Sequence, residues 1–162
     1  MSEPTIRLTR PTDINNIVDL DLKCYVYPLC MADWQDLVGT SGQDGSPRVV
    51  MVEVLQKPVA FGMWQHDKDK GITTVIRLGV LEPFRRAGVS KILLTNCIKG
   101  SRTLKIKRLQ VVAPEIHCRP GDPDDISEFL LKSGFHPTGD ILNEYKTMYG
   151  DLVDGFVFER KI

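Results

Sequence analysis

The spacing of apolar and polar positions divides the 162-residue chain into alternating strand and helix signals. Thr5-Ile6-Arg7-Leu8-Thr9 alternates with the period of two that a half-buried strand requires. Asp13 is a helix-capping residue ahead of Ile14, Ile17, Val18, Leu20 and Leu22, which form a helical stripe that Pro28 ends or redirects. A short second helix is expected from about Ala32 to Val38, and Gly39 to Pro47 is a loop. Arg48–Leu55 and Val59–His66 are β-branched and aromatic runs on either side of Gln56-Lys57-Pro58, a strand, turn and return strand. After a second turn at Asp67–Gly71, Ile72–Leu81 is the next strand. Val89, Ile92, Leu93 and Ile98 then repeat with helical spacing. Leu104–Ala113 reads as a strand and Pro114–Asp125 as a long loop. Asp125–Ser133 reads as a short helix stopped by Gly134, with strands again from Phe135 and over Gly155–Ile162. Strand, helices, three strands, helix, strand, helix and strands imply a mixed sheet with helices packed on it.

Composition narrows the class. The length suits one domain, 1–162, with a sizeable core. Apolar content of 42% and charged content of 26% are those of a globular protein. No apolar run reaches the length of a membrane span, and Met1-Ser2-Glu3-Pro4 is not the start of a secretion signal, so a cytoplasmic location is expected. The four cysteines, Cys24, Cys30, Cys97 and Cys118, lack CxxC spacing. They read as reduced thiols, and Cys118 beside His117 does not make a metal site. The 21 basic and 21 acidic residues cancel, which argues against a nucleic-acid or membrane-surface binder. Their distribution is uneven. From Arg85 to Arg108 there are eight Lys or Arg and no acid, and from Glu115 to Glu128 five acids and one Arg.

The basic stretch begins where a strand runs through Pro83 and Gly88 into a helix. The N–H groups of a helix's first turn have no partner in the helix, and its dipole favours an anion. Arg85 and Arg86 add positive charge there, and Ser90 is small enough for a pyrophosphate to approach. An ordinary strand–turn–helix with exposed arginines is the alternative reading of these residues alone.

Leu81-Glu82-Pro83-Phe84-Arg85-Arg86-Ala87-Gly88-Val89-Ser90 resembles the coenzyme A signature of the GNAT acetyltransferases, Arg/Gln-x-x-Gly-x-Gly/Ala, with Ser90 in the last place. Leu130-Leu131-Lys132-Ser133-Gly134-Phe135 is similar to the family's helix ending in Gly-Phe. Within the superfamily, Tyr27-Pro28-Leu29-Cys30-Met31-Ala32-Asp33-Trp34 resembles the substrate loop of the amino-terminal protein (ribosomal-protein-type) N-acetyltransferases. Tyr145 sits where these often place a tyrosine over the peptide. Core packing is the alternative for Tyr27 and Trp34.

The resemblance implies an α/β (α+β) GNAT fold, with a mixed central sheet of about seven strands and about four helices. Acetyl-CoA would lie in a splay between the parallel strands Ile72–Leu81 and Leu104–Ala113. It would be held by Leu78, Gly79 and Val80 and by Arg85, Arg86, Ala87, Gly88, Val89, Ser90 and Lys91, with backbone N–H near Val80 polarising the thioester carbonyl. The acceptor is expected to be a primary amine, on a protein N-terminus or a small molecule, contacting Tyr27, Pro28, Leu29 and Tyr145. The resemblance also places Thr74 where members commonly carry a glutamate or tyrosine base, and Leu130 where they carry a tyrosine acid. Neither side chain supplies that chemistry. His117, Glu115 and Tyr145 are the candidate substitutes, with an exposed loop histidine the alternative for His117. Glu53 is a further possibility, with a solvent-facing role as its alternative. Leu130→Tyr is expected to fold. A coenzyme A-binding protein with weak or lost catalysis and a small-molecule acetyltransferase are the rival functions.

Overall fold

The computed structural model describes residues 2–25, 27–119, 121, 125–146 and 152–162, and for 115, 116, 141–146, 152 and 153 the backbone alone. Strand β1 (Thr5–Leu8) leads to helices α1 (Ile14–Cys24) and α2 (Met31–Thr40). Strands β2 (Arg48–Val54), β3 (Lys57–Asp67) and β4 (Ile72–Val80) follow. Then come α3 (Val89–Thr103), β5 (Arg108–Pro114), α4 (Ser127–Lys132), β6 (His136–Lys146) and β7 (Leu152–Lys161). The strands form one seven-stranded sheet, ordered β1-β2-β3-β4-β5-β7-β6. Every adjacent pair is antiparallel except β4 and β5. This is the mixed α/β architecture expected from the sequence.

Helices cover both faces, which is why β2 is apolar at nearly every position rather than at alternate ones. Val49 and Met51 join Phe61 and Met63 under Ile17, Leu20, Trp34 and Val38 of α1 and α2. Val50, Val52 and Val54 face the other way, into a cluster with Leu93, Leu94 and Cys97 of α3 and Leu130 of α4. Each fully buried side chain of the size of Phe61 or Leu93 contributes roughly 1.5–3 kcal/mol.

The helix boundary after α3 differs from the expected one. The helix continues past Ile98 to Thr103, and Leu104 to Lys107 are its termination rather than strand. Leu104 N–H bonds back to Gly100 and Ser101, Ile106 N–H bonds to Ser101, and Lys105 has φ +60°. Buried Ile106 folds onto the core from this turn. Leu104 and Ile106 alternate like a strand because a helix stop also places an apolar residue inward two positions on.

One irregularity positions the site. In the β3–β4 pairing Met63 lies opposite Arg77 and Trp64 opposite Val75, so Ile76 is an extra residue, a β-bulge. Ile76 and Arg77 therefore both point to the α1/α2 face, Ile76 into its apolar cluster and Arg77 onto Asp21. Parallel pairing of β4 with β5 covers only Ile72–Val75 against Arg108–Val111 and ends at the bulge. Both strands continue, β4 to Val80 and β5 to Pro114, with a gap between them. No helix among the described residues is long and apolar enough to cross a membrane.

Candidate active site

The gap opens into a cleft of about 530 Å³, within the size range of small-molecule sites. Its floor is the edge of β4 from Val75 to Val80 and of β5 from Val111 to Pro114. Arg85, Arg86 and Ser90 close one end, while Cys24, Tyr25, His117 and the α4 residues Glu128–Leu130 form the walls. Of the cofactor residues expected from the sequence, Leu78, Gly79, Val80, Arg85, Arg86 and Ser90 come together here. Ala87, Gly88, Val89 and Lys91 belong to the same loop and helix start but are not in the wall. Val89 is fully buried beneath the helix, and Lys91 is exposed.

The loop owes its shape to Gly88. This residue caps α3 with φ +78° and ψ 9°, a left-handed conformation that L side chains rarely adopt. The first α-helical bond is Ile92 N–H to the Gly88 carbonyl, so the preceding N–H groups face outward at the positive end of a 15-residue helix. A Cβ at Gly88 would meet nothing within 4 Å. Conformation therefore selects glycine here, rather than contact within the fold. Arg85 turns back and donates from Nε to the Val80 carbonyl at 3.0 Å, tying the loop to the end of β4. Gly79 has the opposite reason for being glycine, since a Cβ there would overlap the Phe61 ring. These features fit a pyrophosphate at the loop and an extended chain along the gap.

The α1 side of the cleft rests on a buried ion pair that the sequence reading did not single out. Arg77 Nη1 lies 2.6 Å from Asp21 Oδ1, with both side chains almost fully buried. Asp21 Oδ2 also accepts from the Trp34 indole at 2.9 Å and the Leu29 amide at 2.8 Å. Arg77 Nη2 donates to the Tyr27 carbonyl at 2.8 Å, and its guanidinium carbon stands 4.6 Å from the centre of the Tyr25 ring. The segment through Tyr27, Pro28 and Leu29 is thus pinned by charge-assisted hydrogen bonds. None of these three residues lines the cleft; Tyr25, two positions earlier, does. Two signals were available in the sequence: an acid inside the apolar stripe Leu20-Asp21-Leu22, and an arginine inside the apolar strand Val75-Ile76-Arg77-Leu78.

Tyr25 crosses the gap. Its hydroxyl accepts from Leu78 N–H at 2.9 Å and reaches the Leu78 carbonyl at 3.2 Å. Burial pushes the phenol pKa up to about 12, against the opposing pull of Arg77 and of the Leu78 N–H, so it stays protonated at neutral pH. The His117 ring packs edge-on against Tyr25, with centroids 5.2 Å apart.

His117 sits in the 3-10 turn Glu115–Cys118 that ends β5, where its carbonyl accepts from Ile126 N–H at 2.9 Å. Only 4% exposed, it is a buried wall residue rather than an exposed loop histidine. Glu115 shares that turn and Tyr145 lies on β6 opposite Val153 of β7; both side chains, like Asp122 and Asp124, fall outside the described residues. Glu53 does not reach the cleft: it pairs with Arg7 at 2.8 Å, and Arg7 also binds Asp13. Thr74 is held between Gln65 and Gln110 in the closed part of the sheet, below the gap. Leu130 faces the cleft, as the resemblance implies, and is also packed into the core, with 0% exposure.

The model of the acetyltransferase (GNAT) family matches residues 14–120. The chain belongs to that family. A comparison with curated protein sequences finds no match. Solved structures share the fold at low identity. The ribosomal-protein-S18-alanine N-acetyltransferase from Escherichia coli is 17% identical, with TM-score 0.73 over 99% of this chain and 94% of that one. The PaiA N-acetyltransferase from Thermoplasma acidophilum, solved in complex with coenzyme A, is 11% identical, with TM-score 0.74 over 99% of each chain. Naa50 from Arabidopsis thaliana, solved with the bisubstrate analogue CoA-Ac-MVNAL, is 16% identical, with TM-score 0.73 over 98% of this chain and 99% of that one.

Proposed function

We propose that this protein transfers the acetyl group of acetyl-CoA to a primary amine, and that the amine is a protein N-terminus. The observation that carries the reading is the continuous cleft, which runs from the glycine-started α3 into the gap between β4 and β5. In this reading the outward N–H groups at Gly88–Lys91, with Arg85 and Arg86, hold the pyrophosphate, and the gap-facing edge of β4 at Leu78 and Val80 lines the pantetheine arm. Holding both substrates side by side supplies much of the acceleration. His117 accepts the proton of the attacking amine, directly or through water. Asp125 and Glu128 at the mouth attract a cationic acceptor. The peptide reading draws on the pinned Tyr27-Pro28-Leu29 segment beside Tyr25 and on fold relatives whose names specify a ribosomal-protein alanine or the bisubstrate analogue CoA-Ac-MVNAL.

The deciding experiment measures acetyl-CoA binding by thermal shift and acetyl transfer over a panel of N-terminal peptides and polyamines. A ligand at about 100 times its Kd stabilises by about 2.7 kcal/mol, so absence of any shift at millimolar coenzyme A would sink the reading. His117→Ala should lower kcat more than it raises KM; full turnover in that variant removes His117 from the mechanism. Sealed Leu130 and distant Thr74 favour a second reading, a coenzyme A-binding protein with weak catalysis, which binding without transfer across the panel would establish.

A further inference from the structure

The Tyr25 hydroxyl engages both polar groups of the Leu78 backbone facing the gap, the N–H and the C=O. In a regular sheet those two groups would pair with the neighbouring strand, but β5 leaves β4 after Val75. A phenol from the residue that follows α1 has taken the strand's place, in the middle of the cleft wall. Val80, the next residue facing the gap, already has its carbonyl bound to Arg85. At Leu78 a side-chain donor, the Tyr25 O–H, and a main-chain donor, the Leu78 N–H, converge.

We propose that Tyr25 is a catalytic residue, whose O–H joins the Leu78 N–H in holding the carbonyl oxygen of the bound thioester. The proposal rests on the acetyl-transfer reading and adds to it a residue outside the expected motifs. The amine lone pair forms the new C–N bond while the carbonyl electron pair moves onto oxygen, where the two donors stabilise it. Collapse restores the C=O bond, breaks the C–S bond and releases the thiolate. The proton lost by the amine nitrogen balances the thiolate through His117 or solvent, so amine and acetyl-CoA become amide and free coenzyme A. For this the phenol turns its O–H from the Leu78 carbonyl to the thioester oxygen, and the Leu78 N–H, donated to the phenol oxygen in this structure, passes to the thioester oxygen as well.

Two further features suit that role. A donor to a developing oxyanion works best when preorganised and uncharged, and burial keeps this phenol protonated far above neutral pH. The ring is held by Arg77 on one side and by Phe61 and His117 around its edge. The other expected proton carrier on this wall is absent, since position 130 is a sealed leucine. The ionisable groups around Tyr25 are Asp21 and Cys24 from α1, Arg77 from β4 and His117 from the turn after β5.

Tyr25→Phe keeps the ring and removes the donor. We expect kcat to fall on the order of 10²-fold, the loss typical of one oxyanion donor. Affinity for coenzyme A should stay equal or rise, because the phenol no longer competes for the Leu78 amide. Unchanged kcat overturns the proposal, as does a parallel fall in kcat, coenzyme A affinity and melting temperature, which would mark a structural residue. If Tyr25→Phe fails to fold, replacement of Tyr25 by 3,5-difluorotyrosine decides. Its lower phenol pKa should introduce an alkaline fall in kcat that the parent protein lacks, and a pH profile matching the parent's overturns the proposal. A parent protein that binds no coenzyme A overturns the acetyl-transfer reading and this inference with it. A parent that transfers acetyl beside a fully active Tyr25→Phe overturns this inference alone.

Discussion

Gly88 and Asp21 mark the two ends of what single residues disclose. Gly88 was legible because its chemistry is local: a turn, a helix start and a small residue two positions on lie within one short stretch. The structure gives the backbone reason for its identity, with φ +78° and open space where a side chain would go. Gly88→Ala should therefore lose about 1–2 kcal/mol from the left-handed conformation alone, read as a lowered urea midpoint at unchanged m-value. Gly88→Val should in addition abolish the coenzyme A thermal shift, because its methyls would fill the space beside the outward N–H groups. A Gly88→Ala variant as stable as the parent would show that the loop relaxes. Asp21 was not legible as a hub, since its partner Arg77 is 56 residues away and its third ligand is an indole. Removing one member of a buried pair strands the other charge, at a cost of about 3–5 kcal/mol. Asp21→Asn should lose that much, and combining it with Arg77→Met should recover part of the loss. A double-mutant cycle by chemical denaturation measures this, and strict additivity would mean the pair is not coupled.

At the scale of elements, periodicity disclosed every strand and helix of the sheet, because period two and period 3.6 are set by burial on one face or two. It could not disclose the bulge at Ile76. A bulge shifts which face each residue points to, and in a strand covered on both sides either face accepts Ile or Leu. Yet the bulge ends the β4–β5 pairing and so creates the cleft. The helix stop after α3 escaped for a related reason, since Leu104 and Ile106 follow a strand's alternation while folding back onto Ser101. Helix α4 gives the sharpest correction. Its short apolar pattern left the inward register open, and Leu130 proves to be core. Leu130→Tyr adds a ring and a hydroxyl to a site with no exposure, so a loss of about 1–3 kcal/mol from overpacking is expected instead of neutral folding. Thermal denaturation tests this directly: an unchanged melting temperature would mean that the cleft side of α4 yields to the larger side chain.

For the whole molecule, the buried polar groups joining its layers predict how stability depends on pH. His66 at the end of β3 places Nδ1 2.7 Å from Thr73 Oγ1 of β4, and Thr73 lies 2.8 Å from the Ser101 hydroxyl of α3. Burial, followed by the nearby charges of Arg48 and Lys68, holds the His66 pKa below its ordinary 6.5. The unfolded chain therefore takes up this proton first as pH falls. Stability from a neutral His66 is complete above the ordinary value and is lost as pH drops from 6.5 towards the lower folded pKa. Asp13 acts in a lower window. Its hydrogen bonds with Arg7 depress its pKa below 3.8, so its contribution is present above that value and is lost as pH falls through the folded pKa. Melting temperature followed from pH 8 to pH 2 should thus decline in two stages. His66→Gln, which cannot take up the proton, should flatten the first stage and leave the second. Asp13→Asn should lower stability at neutral pH and flatten the second. If His66→Gln shows the parent's slope between pH 7 and pH 5, the histidine charges as readily in the folded protein as in the unfolded chain. The hydroxyl network joining β3, β4 and α3 would then have to accommodate an imidazolium without loss.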